Sequence, residues 1–97
     1  MNWIPLSELK DEEIIWRGCR IRLYNTGLNV ANSNDDFYEY LVSEIHGNHE
    51  YFQLTCLSEY KAGIIICIIK KELPNHYAIG KELKRMMGVE NTFVNLE

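Results

Sequence analysis

The sequence predicts one α+β domain, an antiparallel β-meander sheet packed against one or two helices. Three observations carry this expectation. Several runs alternate apolar with polar residues, the period of a strand with one face on a core. Clusters of Asn, Gly, Ser and Asp separate those runs, and these are turn-forming residues. One stretch near the C-terminus spaces its apolar residues as a helix does. At 97 residues the chain supports a single domain, 1–97, with one core.

Taken in order, Pro5 introduces Leu6 to Lys10, which reads as a turn or a single helical turn, and Asp11-Glu12-Glu13 is an exposed acidic lead. Ile14 to Tyr24 is a strand, with Cys19, Ile21 and Leu23 opposite Arg20, Arg22 and Tyr24 and with Gly18 at a bulge. Asn25-Thr26-Gly27 and Asn32-Ser33-Asn34-Asp35 are loops. Phe37 to Ile45 fits either a helix or a strand; its aromatic and β-branched content, and the turn His46-Gly47-Asn48-His49 after it, favour a hairpin. Glu50 to Leu57 alternates, and Ser58 to Ala62 turns. Gly63 to Ile69 is apolar on both faces and is expected to be a central strand covered on both sides. Asn75 is placed to N-cap a helix with the stripe Ile79, Leu83, Met86 and Met87, ended by Gly88. Thr92 to Leu96 is a short last strand.

Composition excludes several function classes. The net charge is −4, whereas general nucleic-acid binding requires a surplus of Lys and Arg. The longest apolar run, Gly63 to Ile69, is 7 residues, far short of the roughly 20 of a membrane span. The first residues, Met1-Asn2-Trp3-Ile4-Pro5, have neither a basic nor an apolar signal region, so a cytoplasmic location without membrane association is expected. Cys19, Cys56 and Cys67 are widely spaced and odd in number, which fits reduced thiols in apolar strands better than a disulfide framework.

Signals for chemistry are sparse. His46 and His49, with Glu44 and Glu50 nearby, suit metal binding or acid–base work on a tight turn, but no third ligand stands at a recognisable spacing. Cys56 and Cys67 fall on strands expected to be neighbours. Cys19 has Arg17 and Arg20 beside it, yet strand alternation turns Arg20 to the opposite face. No serine sits in a Gly-x-Ser-x-Gly elbow, and Gly80 and Gly88 are too isolated for a phosphate loop. No enzyme activity, metal or cofactor is therefore expected.

Charge distribution says more. Between Arg22 and Lys61 there is no Lys or Arg, while Asp35, Asp36, Glu39, Glu44, Glu50 and Glu59 give that stretch a charge of −6. Aromatic residues are interleaved with these acids. Rigid aromatic anchors beside carboxylates suit a protein-recognition surface that steers a basic partner. The candidate partner-binding residues are Asp35, Asp36, Tyr38, Glu39, Tyr40, Glu44, Glu50 and Tyr51. The competing reading is a one-sided sheet, with half the aromatics in the core and the acids solvating the other face.

The run Tyr51-Phe52-Gln53-Leu54-Thr55-Cys56-Leu57-Ser58-Glu59-Tyr60-Lys61-Ala62-Gly63-Ile64-Ile65-Ile66 resembles the strand–turn–strand of small bacterial immunity proteins. Asp35-Asp36 and the Tyr38–Ile45 strand precede it, and a Leu-Pro and a helix follow. The resemblance spans roughly residues 35–88 and concerns proteins of contact-dependent growth inhibition and related polymorphic-toxin systems. It implies a cytosolic antitoxin that blocks the active site of one cognate toxin, in many cases a nuclease with a basic cleft. The alternatives are a small adaptor or regulatory module that binds a cellular protein without inhibiting it, and a small hydrolase or metal protein using His46 and His49.

Overall fold

The computed structural model describes residues 2–24, 37–57 and 63–96. Eight strands, one 3-10 turn and one α-helix follow the chain. They are β1 (Ile4–Pro5), the 3-10 turn Leu6–Glu8, β2 (Ile14–Ile15), β3 (Arg20–Tyr24), β4 (Phe37–Ile45), β5 (Asn48–Cys56), β6 (Ile65–Lys70), β7 (Ala78–Ile79), α1 (Gly80–Met87) and β8 (Thr92–Asn95). The main sheet has the order β1-β8-β3-β4-β5-β6, and β2 and β7 form a separate two-stranded sheet. Every pairing is antiparallel. Strands β3 to β6 are the expected meander. The last strand, β8, returns to sit between β1 and β3.

Phe37–Ile45 is a strand, as its β-branched and aromatic residues favour. Its register with β3 sets Ile21 against Tyr40 and Leu23 against Tyr38. Alternation sends Tyr40 and Val42 of β4, Phe52, Leu54 and Cys56 of β5, and Ile21 of β3 to one face, where all are buried. Three pieces cover that face: Leu6 and Leu9 around the 3-10 turn, Ile15 and Ala78 of the small sheet, and Leu83 of α1, with Met86 and Met87 packed at its margin. Phe52, Leu54, Ile21 and Leu83 are 0% exposed. Each such side chain contributes about 1.5–3 kcal/mol by leaving water.

The opposite face has no layer over it among the described residues, apart from its own side chains. There Arg22 lies between the Trp3 and Phe37 rings, at 4.2 and 4.3 Å, and Tyr24 packs on Phe37 and Phe93 at 5.2 and 5.4 Å. Further along, Ser43 Oγ meets Thr55 Oγ1 at 3.3 Å. This is the one-sided sheet that alternating sequence encodes.

Three expectations are corrected. First, the strand foreseen across Ile14–Tyr24 is two strands, β2 and β3, separated by a turn at Trp16–Gly18. Gly18 takes φ 97° there, where a side chain is unfavourable. Second, Gly63–Ile69 is not a central strand covered on both sides. Its β6 is the edge of the sheet, and only Ile69 is fully buried, with Cys67 partly so. An apolar run shows which residues suit a strand, but only the order of strands decides whether a second layer covers them.

Third, Asn75 does not cap the helix. It lies in a turn before β7, and α1 begins at Gly80 with Ile79 in the cap position and no side-chain cap bond. Backbone carbonyls take that role. The Gly80 N–H donates to Glu13 O and the Lys81 N–H to Asp11 O, both at 2.8 Å, satisfying two of the donors a helix start leaves open. Lys84 Nζ adds an ion pair with Asp11 at 2.9 Å. The acidic lead foreseen as merely exposed is therefore the clasp that holds α1.

The clasp needs Gly80. A Cβ on Gly80 would collide with the Lys10 carbonyl oxygen, a backbone atom that cannot swing aside. Helix propensity alone predicts that Gly80→Ala stabilises by about 0.5–1 kcal/mol. The contact predicts the opposite sign, a loss of about 1–3 kcal/mol. Chemical denaturation of the two proteins decides between them.

Candidate functional site

The eight residues expected to form one acidic, aromatic surface do not share a face. Asp35 and Asp36 lie outside the described residues. Tyr38 and Tyr40 point to the core side of β4; Tyr40 is 6% exposed and Tyr38 packs against the core. Burial, the nearest cause, pushes the Tyr40 phenol up. Glu39 points the other way, where Arg20 reaches it at 3.1 Å and Arg22 at 3.0 Å. Glu44 is held by Lys71 at 2.7 Å and Arg17 at 3.2 Å. Glu50 is exposed and Tyr51 half-buried. The stretch without Lys or Arg in sequence is thus supplied with cations in space, from β3, from the turn before it and from the residue after β6.

The thiols are built into the fold. Burial pushes the Cys19 thiol up, and its Sγ stands 3.7 Å from the Leu96 carbonyl. A raised thiol holds little nucleophilic thiolate. Burial first, and Glu82 second, push the Cys67 thiol up as well. Cys67 pairs across the sheet with Leu54, not Cys56, and all three cysteines are free. Among the described residues, no three His, Cys, Asp or Glu side chains are grouped to hold a metal ion.

Two features remain. One is a cleft of about 680 Å³ lined by Trp16, Arg17, Glu44, Ile45, His46, Gly47, His49, Lys71 and His76. Three separate turns meet there. The first carries Trp16 and Arg17. The second joins β4 to β5 at His46-Gly47, with Gly47 at φ 80°, and the ladder shifts register beside it, from Glu44–Phe52 to Ile45–Asn48. Such irregularities re-aim side chains. The third, Leu73 to His76, is closed by the His76 N–H donating to Glu72 O at 2.9 Å. All the histidines of the chain, His46, His49 and His76, therefore line one opening. The first two were foreseen as a pair; His76 is 27 residues from His49, and no spacing rule connects it to them.

The cleft floor is Lys71. Its side chain is 2% exposed, and its ammonium lies 4.4 Å from the centre of the Phe52 ring. A buried ammonium requires a partner, and Glu44 provides it. The Lys71 hydrogen bond is the main reason the Glu44 carboxyl titrates below the usual glutamate range, with Arg17 adding to it.

The other feature is the edge strand β6. Ile64, Ile65, Ile66 and Ile68 are 52%, 51%, 42% and 44% exposed. The ladder passes from Leu54–Cys67 to Thr55–Ile65, so Ile66 is the extra residue of a bulge. At the far end of the strand the Lys70 N–H donates to the Glu82 carboxylate of α1 at 2.9 Å. That bond closes one position of the edge; no strand pairs with the remainder among the described residues. Among the described residues, no helix is long and apolar enough to cross a membrane. No family model, curated protein or solved structure matches this chain.

The Lys71–Glu44 geometry sets an asymmetric expectation. Glu44→Ala strands a buried ammonium and costs about 2–3 kcal/mol, below the value for a fully buried pair because the carboxylate is partly solvated. Lys71→Met costs less, since Glu44 keeps Arg17 and water. The pH dependence has a definite sign. A carboxyl held below its ordinary value contributes stability above its unfolded pKa and loses it as pH falls through the folded value. Acid titration of unfolding therefore shows a stability loss below about pH 4.5 that Lys71→Met flattens.

Proposed function

We propose that the protein binds another protein and neutralises it by occlusion, in the manner of an immunity protein acting on its cognate toxin, with β6 as the centre of the contact. One observation carries this reading, the row of half-exposed isoleucines on an open sheet edge. The two edges of the sheet differ in kind. At the other end, β1 is only two residues long and contains Pro5, the usual protection against edge-to-edge pairing. The exposed length of β6 carries neither proline nor charge between Gly63 and Ile69. Surfaces of this type serve strand addition, in which an extended segment of a partner continues the sheet.

The immunity-like run Tyr51 to Ile66 coincides with β5 and the start of β6, so the resemblance and the open edge fall on the same hairpin. By alternation, Tyr51 and Gln53 stand beside Lys70 and Ile68 on the uncovered face and extend the surface. Occlusion needs no catalytic group in the binder, which fits a chain without a recognisable one. The steering role foreseen for acids falls to Asp35, Asp36 and Glu50, since Glu39 and Glu44 are engaged within the fold.

The experiment is capture of the partner from cells that produce it, followed by an assay of that partner's own activity. The wild type is expected to form a one-to-one complex that abolishes the activity. Ile66→Lys with Ile68→Lys, both at exposed positions, is expected to keep its circular dichroism and lose at least tenfold in affinity. Undiminished affinity in the folded double variant would remove β6 from the interface. A complex that leaves the partner active would favour an adaptor role.

A further inference from the structure

The cleft between the three turns carries an excess of positive charge on a chain that is negative overall. Two permanent cations, Arg17 and Lys71, face one carboxylate, Glu44, whose two oxygens are each taken by one of them. Glu50 and Glu72 are nearby in the sequence but do not line the opening. Arg17 is 66% exposed in its side chain and spends one N–H on Glu44, leaving further donors of its guanidinium directed at solvent.

The histidines add to this in a defined way. His76 Nδ1 lies 3.3 Å from the His49 carbonyl oxygen. A carbonyl only accepts, so the proton of the neutral ring sits on Nδ1 and Nε2 presents a lone pair. Protonation converts Nε2 into a donor, and each histidine that gains a proton adds one positive charge. His76 also holds a left-handed backbone, φ 64°, a conformation that costs energy for a residue with a side chain and is kept where surrounding contacts impose it. Here the turn bond to Glu72 and the contact with His49 impose it.

The apolar side of the opening is Trp16. The residue is 46% exposed, and its ring is braced edge-on by Tyr77 at 5.9 Å and 66°. An exposed indole beside cationic donors gives a flat group a stacking surface and an anion a set of hydrogen bonds.

We propose that this cleft is a binding site for a small phosphate monoester bearing a flat ring. Arg17 and the histidines in their protonated form hold the phosphate, Lys71 adds its charge from the floor beneath, and Trp16 stacks the ring. The site stands apart from the exposed isoleucines of β6 and does not rest on the partner-binding reading.

The test is two-dimensional NMR and calorimetric titration of the full chain with inorganic phosphate, phenyl phosphate and phenol. Phenyl phosphate is expected to bind in the millimolar range or better, at least threefold tighter than inorganic phosphate, and to move the Trp16 indole resonance. Phenol alone is expected to bind at least tenfold more weakly. Arg17→Gln and His76→Gln are each expected to weaken binding at least fivefold, and Arg85→Gln, on the helix, to leave it unchanged. Equal affinity in wild type, Arg17→Gln and Arg85→Gln would overturn the site, as would phosphate binding that leaves the indole unmoved. Phenol binding as tightly as phenyl phosphate would reduce it to an apolar contact. If Arg17→Gln fails to fold, His76→Gln and the Trp16 indole resonance carry the decision.

Discussion

The contact of the Lys10 carbonyl with Gly80 determines how the core is closed. A six-stranded antiparallel sheet offers one apolar face and must cover it. Among the described residues, one α-helix, two short strands and the 3-10 turn serve that purpose. Because residue 80 has no side chain, the acidic lead can cross the helix start at backbone distance. Its carbonyls then take the N–H groups of Gly80 and Lys81, and Asp11 takes the Lys84 ammonium. The consequence runs through the rest of the lid. β2 is held against β7, with Ile15 opposite Ala78, and Leu83 is pressed onto the buried cluster. Segments far apart in sequence are thereby fastened to each other as well as to the sheet.

Covering one face leaves the other to manage itself. A buried layer there would hide Glu39, Arg20 and Arg22. Without one, they form ion pairs at a partly solvated surface, where such pairs contribute little each. More of the order on that face comes from area and geometry: Arg22 between Trp3 and Phe37, and Tyr24 between Phe37 and Phe93. The same economy of layers explains β6. With α1 tied to β7 and the N-terminal clasp, its reach over the sheet ends at Ile69 and at the Lys70 N–H. Ile65 and Ile68, opposite Thr55 and Gln53, stand on the uncovered face, and Ile66 is the bulge residue.

The fold class was legible in the sequence because period-two alternation is a local property. Within each strand the spacing grouped Ile21 with Cys19 and Leu23, and Phe52 with Leu54 and Cys56, and the last strand was legible from Thr92 to Leu96, whereas Tyr40, expected on a binding surface, is buried. What could not be read was any feature set by which strands are neighbours. The isoleucine run suited a central strand equally well until the order of strands put it at an edge. Asn75 had the chemistry of a cap, but carbonyls more than 60 residues earlier in the sequence were already in place. The acidic stretch had no cations within it, yet Arg20, Arg22, Arg17 and Lys71 reach its acids across strands. His76 joined His46 and His49 by the same route. A candidate site assembled from three turns has no sequence period to announce it.

The buried Lys71 shows how structure and surface chemistry are coupled in this molecule. A methionine would fill the same volume on Phe52 without needing a counter-ion, and exchanges of this kind are often neutral or stabilising. The ammonium instead requires Glu44, and Glu44 in turn draws Arg17 to the opening. One buried charge therefore fixes the positions of two surface groups, one on β4 and one on the turn before β3. Stability alone does not call for that arrangement. It holds a carboxylate saturated at the floor of a cleft while the donors above it remain turned outward, which is the electrostatic order an anion-binding site requires. The β6 edge has the reverse character, apolar side chains on backbone groups that accept any sequence. The two surfaces thus differ in chemistry, one cationic and one apolar.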